Sequence, residues 1–68
     1  MTSFSVRIRE LRHARGLTQK QAATAFGVSE ILWRKYEEGT RTPTFDGLIA
    51  LADFFGVSLD YLTGRSEH

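Results

Sequence analysis

The stretch QKQAATAFGVSEILWRKYEE, Gln19–Glu38, decides how this chain folds. Thr18 precedes it and Gln21 follows three residues later, the pairing of a capping box that satisfies two orphan amides at a helix start. The helix so opened carries Ala22, Ala23 and Phe26 and stops at Gly27. Ser29 caps the next helix, whose inward positions at a four-three spacing are Leu32 or Trp33 and then Tyr36. It ends near Glu38-Gly39.

The same helical period runs outward from this pair. Upstream, Phe4, Ile8 and Leu11 recur at intervals of four and three before Gly16, which predicts a helix from about Ser5 to Arg15. Downstream, Thr40-Arg41-Thr42-Pro43 is a loop, and Thr44 caps a fourth helix with Leu48, Leu51, Ala52 and Phe55 on one face. Gly56 ends it. Ser58 opens a last short turn with Leu59, Tyr61 and Leu62, closed by Gly64. No strand pair or repeat competes, so the expected fold is an all-α bundle of five helices. One domain covers residues 1–68, with an ordered core from about 4 to 64 and a tail from Arg65 to His68.

Composition narrows what such a bundle does. Sixty-eight residues, 41 % hydrophobic and 25 % charged, make one small folded domain. A domain of this size buries only about 60 % of its unfolded surface, so it depends on tight helix packing or on assembly. Cysteine is absent, which excludes a disulfide framework, a thiolate zinc site and a cysteine nucleophile. His13 and His68 are too few for a metal cage, and no Ser/His/Asp constellation or phosphate-cradling glycine loop is present. An enzyme is therefore not expected, nor a cofactor, a metal or a small-molecule ligand. The longest apolar run, Leu48–Ala52, falls far short of the roughly 20 residues of a membrane span, and no signal peptide precedes the domain. The expected location is the cytoplasm, in association with the nucleoid.

The formal charge of +1 hides an asymmetry. Residues 1–35 hold seven basic residues against two acidic ones, net +5, whereas residues 36–68 hold two against six, net −4. Such a division suits a basic half that meets a polyanion. A helix-turn-helix supplies the means. Ala23 is small where the second helix crosses, Gly27 tolerates positive φ, and Ala22, Phe26, Val28, Trp33 and Tyr36 fill the inward places. Each match is common in helical hairpins; their conjunction points to double-stranded DNA.

The segments Ile8-Arg9-Glu10-Leu11-Arg12, Gly16-Leu17-Thr18-Gln19, Gly27-Val28-Ser29 and Tyr36-Glu37-Glu38-Gly39 resemble the phage Cro/repressor-type (XRE) helix-turn-helix family. Pro43 and Gly56-Val57-Ser58-Leu59-Asp60-Tyr61-Leu62 extend the likeness over residues 4–64. The resemblance implies sequence-specific transcriptional regulation, here repression, by a homodimer on a near-palindromic operator.

In such docking the N-terminal part of the recognition helix meets base edges. That helix exposes Ser29, Glu30, Ile31, Arg34 and Lys35. Lys35 suits guanine O6 and N7, Ile31 a thymine methyl and Glu30 cytosine N4. The resemblance places base reading on Glu30, Ile31 and Lys35 with Arg34 alongside. Arg34 equally suits phosphate, and Glu30 also complements a helix N-terminus. Gln19 matches the family's phosphate-binding position, and Ser29, Arg41 and Thr42 are further phosphate candidates; Lys20, Arg7 and Arg9 are weaker ones, since basic residues on an exposed face are usually just solvated. The resemblance also pairs Arg12 with Glu37 as a partly buried ion pair and puts dimer contacts near Val57, Leu59 and Tyr61; Phe54, off the stripe of Leu48, Leu51, Ala52 and Phe55, is expected to expose part of its ring beside them. The rival reading is a protein-interaction module, an antitoxin or adaptor, which the carboxylate of Glu30 and the apolar Ile31-Leu32 pair favour.

Overall fold

The computed structural model describes residues 3–65. Five helices follow one another: α1 (Phe4–Ala14), α2 (Gln19–Phe26), α3 (Glu30–Glu38), α4 (Phe45–Phe55) and α5 (Leu59–Leu62). No strand occurs among the described residues. Of the expected tail, Ser66, Glu67 and His68 lie outside them.

A hydroxyl starts every helix. Ser3, Thr18, Ser29, Thr44 and Ser58 each adopt an extended backbone and accept a hydrogen bond from the amide three residues on. Each cap satisfies an amide that the helix itself cannot. The first helix therefore begins at Phe4 rather than Ser5, because Ser3 Oγ takes the Val6 amide at 3.3 Å. At Thr18 the capping box is complete, with the side-chain Oε1 of Gln21 accepting the Thr18 amide at 2.9 Å. Gly27 ends α2 at φ +97°, a left-handed conformation in which a side chain is strained, and so turns the chain sharply into α3.

The core is the meeting of one face from each helix. Ile8, Ala22, Ala23, Trp33, Leu51 and Leu62 are fully buried, and Tyr36, Ala52 and Phe55 nearly so. Of the two candidates at one inward position of α3, Trp33 takes the interior and Leu32 stays half-buried. Aromatic rings join the layers edge to face: Phe4 with Tyr36, Phe26 with Trp33, and Trp33 with Phe55. Such contacts fix the angle between helices as well as burying area. Ala22 and Ala23, at no more than 1 % exposure, let α2 approach its neighbours closely.

Candidate nucleic-acid interface

The exposed side of α3 and the start of α2 form the face expected to meet DNA, and a buried charge beneath fixes both. Glu37, on the last turn of α3, is 3 % exposed. Arg12 of α1 grips it with two hydrogen bonds, Nε to Oε2 at 2.6 Å and Nη2 to Oε1 at 3.0 Å. Trp33 donates its indole N–H to Oε2, and Gln19 donates its side-chain amide to Oε1 at 3.2 Å. Arg12 Nη1 also donates to the Leu17 carbonyl at 2.9 Å, just before α2 begins. Burial pushes the Glu37 carboxyl up, but hydrogen bonds from Arg12, Trp33 and Gln19, with the Arg12 charge, outweigh it and hold the group below the ordinary glutamate range. One ionised carboxylate thus joins three helices.

Gln19 stands at the first position of α2, half-buried. Its amide is turned so that Nε2 faces Glu37 while Oε1 accepts Arg34 Nε at 3.2 Å. Arg34 in turn donates to Glu30 Oε2 at 2.7 Å, one turn back on α3. The Glu30 carboxylate is therefore engaged within its own helix. Ile31 is 66 % exposed, and Lys35 is exposed with no ionic partner among the described residues. Ser29 Oγ accepts the Leu32 amide at 3.1 Å, which leaves its hydroxyl proton to donate. Past α3, Arg41 and Thr42 lie exposed in the loop, where the Arg41 amide donates to the Lys35 carbonyl at 3.3 Å.

Two basic residues read as solvated behave otherwise. Arg7 is 5 % exposed: its Nε donates to the Tyr61 carbonyl at 3.1 Å and its guanidinium lies 4.1 Å from the Tyr61 ring centroid. The reason is positional. Arg7 follows Phe4 by three and precedes Leu11 by four, so it sits on the apolar stripe, and α5 supplies a ring and a carbonyl that accept its charge. Arg9, half-exposed, donates to the Glu37 carbonyl at 3.1 Å and so closes the end of α3 against α1. Lys20 remains exposed.

On α4, Phe54 is half-buried and packs edge-on against Phe26 at 5.5 Å and Phe55 at 4.9 Å between centroids, with the Arg15 guanidinium 5.4 Å above it. Its ring fills the seam between α2 and α4. Val57 and Tyr61 line an open concavity of about 320 Å³ with Leu11, Gly56 and Ser58; Leu59 is half-buried nearby.

The arrangement is shared with known proteins. The family model of the helix-turn-helix domain matches residues 3–65. The chain is 39 % identical over 64 residues to the cryptic phage CTXphi transcriptional repressor RstR of Vibrio cholerae, covering 94 % of this chain and 58 % of that protein. It is 37 % identical over 65 residues to the HTH-type transcriptional regulator ImmR of Bacillus subtilis, covering 96 % and 51 %. The crystal structure of a transcriptional regulator from Listeria innocua superposes with a TM-score of 0.84 at 29 % identity, over 97 % of this chain and 62 % of that one. This chain thus spans between about half and three fifths of each of these relatives. On the match of nearly every residue to the domain family, and on these likenesses, the chain belongs to the Cro/repressor-type (XRE) helix-turn-helix family.

Proposed function

We propose that this chain is the DNA-reading unit of a transcriptional repressor that binds a near-palindromic operator as a homodimer in the cytoplasm. The observation that carries the reading is the posture of α3. Its outer face presents Ile31 and Lys35, while Glu37 beneath is locked to α1 and α2 by Arg12 and Gln19. A rigid helix with an unpaired cation and an apolar side chain outward suits the major groove, where Lys35 takes guanine and Ile31 a thymine methyl. Ser29, Arg41, Thr42 and the second amide proton of Gln19 reach phosphate on either side, with the α2 N-terminus aimed at the same anion. Arg34 serves base or phosphate.

A dimer supplies the specificity that one recognition helix lacks, by reading half-sites about 10 bp apart. Val57, Leu59 and Tyr61 around the concavity are the proposed contact, with Phe54 at its edge. The repressors among its relatives support the regulatory sign.

Titration of salt against binding to duplex tests the reading. Affinity falls steeply as salt rises when lysine and arginine displace condensed counterions. Selection from a random pool then yields a two-fold-related site. The second reading, an antitoxin or adaptor, draws on Ile31, whose 66 % exposure also suits a protein partner. Feeble binding to every duplex at 50 mM salt favours it.

A further inference from the structure

The Glu30–Arg34 pair lies in the middle of the face assigned to DNA, yet it is a closed ion pair 2.7 Å long. Its side chains are 36 % and 55 % exposed, and an i,i+4 pair at that exposure adds little to folding. Its effect lies in where it holds Arg34. Arg34 Nε is tied to Gln19 Oε1, and Gln19 is itself oriented by the buried Glu37 carboxylate. The guanidinium is thereby parked beside the N-terminus of α2, with Nη1 unpartnered among the described residues, and its charge is cancelled by Glu30.

We propose that Glu30 is a positioning residue that sequesters Arg34 from DNA phosphate and so suppresses binding to non-operator duplex. This rests on the DNA-reading role proposed above. On random sequence the attraction is almost wholly electrostatic, and a neutralised Arg34 subtracts one cation from it. On operator the base contacts of Lys35 and Ile31 seat α3 deeper, and a phosphate then replaces the Glu30 carboxylate on Arg34. The exchange is easy because both anions suit the same planar fork and the surface pair is weak. Glu30 thus raises the ratio of specific to non-specific affinity without touching a base.

The test measures binding of the parent chain, Glu30→Gln, Arg34→Gln and the double variant to a random-sequence duplex and to a duplex selected by the parent, from 50 to 200 mM salt. Glu30→Gln should bind random duplex about three- to tenfold more tightly at 50 mM, with a salt slope steeper by about one, which is an additional three- to fourfold loss across that range. Operator affinity should rise less, so discrimination falls. In the Arg34→Gln background the gain should vanish. An equal gain in that background would show plain repulsion of phosphate by Glu30 and overturn the proposal. So would a loss of preference at one C·G pair, which marks Glu30 as a base reader, or an unchanged affinity for random duplex. If the parent chain binds neither duplex, the DNA-reading role itself falls; the proposal alone falls if the parent binds and Glu30→Gln matches it.

Discussion

Trp33 donates its indole N–H to the carboxylate of Glu37, one turn further along α3, so the largest fully buried side chain and the buried charge are fixed by each other. The indole cannot rotate without leaving Glu37 Oε2 to Arg12 alone, and the carboxylate cannot shift without orphaning a buried N–H. Because Arg12 of α1 and Gln19 of α2 grip the same carboxylate, α3 is held in rotation about its own axis, the coordinate that decides which of its side chains face outward.

Arg12→Ala should destabilise the fold strongly. Removing one partner of a buried pair leaves an uncompensated charge and costs about 3–5 kcal/mol. For a domain of this length that lowers the melting midpoint by roughly 12 °C or more. Circular dichroism checks it, and DNA binding should persist at temperatures where the variant stays folded. Lost binding with unchanged melting would place Arg12 on DNA.

Acid should weaken the fold through Glu37. Its folded-state pKa lies below the ordinary 4.5 because hydrogen bonds from Arg12, Trp33 and Gln19 overcome the opposing effect of burial. Between those two values the unfolded chain binds more protons than the folded one. The stabilisation is thus complete above about 4.5 and is lost as pH falls through the folded-state value. Glu37→Gln should be less stable at pH 7 and should lose less on acidification; parallel melting curves of the two proteins from pH 7 to 3 measure this.

Much of this was legible in the residues. The starts of α2, α3, α4 and α5 follow from hydroxyls set before apolar periods, and the turn at Gly27 from the need for positive φ. The Arg12–Glu37 pair came through family likeness, not through spacing. What stayed hidden depends on partners distant in sequence. Nothing local says that Arg7 would find the Tyr61 ring, 54 residues away, although its place on the stripe with Phe4 and Leu11 was a signal that its charge obscured. Nor does α2 announce that Gln19 would be divided between Glu37 and Arg34. Phe54 read as off the stripe because the seam it fills is made by Phe26 of another helix.

Lys35→Ala and Arg41→Ala should separate reading from anchoring. The first should relax preference at one base pair by about 1–3 kcal/mol if the contact is bidentate. The second should weaken all duplexes alike and reduce the salt slope by about one. Competition binding against single-base variants of the selected site distinguishes them. Gln19→Ala should also weaken all sequences, with some loss of melting because it removes a hydrogen bond to Glu37.

Leu59→Lys should give a folded monomer that binds one half-site weakly, if the face around Val57 and Tyr61 makes the dimer. Phe54→Lys should instead lower stability as well, because its ring packs on Phe26 and Phe55. Sedimentation at micromolar concentration, with and without operator, reads the assembly state. A monomer in both conditions, bound one per site, would end the dimer proposal.

The clasp of Arg7 on Tyr61 has a kinetic meaning. The hydroxyl caps reach three residues, Arg12–Glu37 closes 25, and Arg7–Tyr61 closes 54. Loop-closure entropy makes the longest of these dearer than the middle one by about 0.7 kcal/mol. A folding chain therefore meets them in that order, local turns first and α5 last. A four-residue helix cannot persist alone in water, so α5 depends on that clasp together with the burial of Leu62 in the core. Unfolding should begin there, and amide exchange in α5 should outpace that of α3, whose Trp33 and Glu37 are buried among three helices.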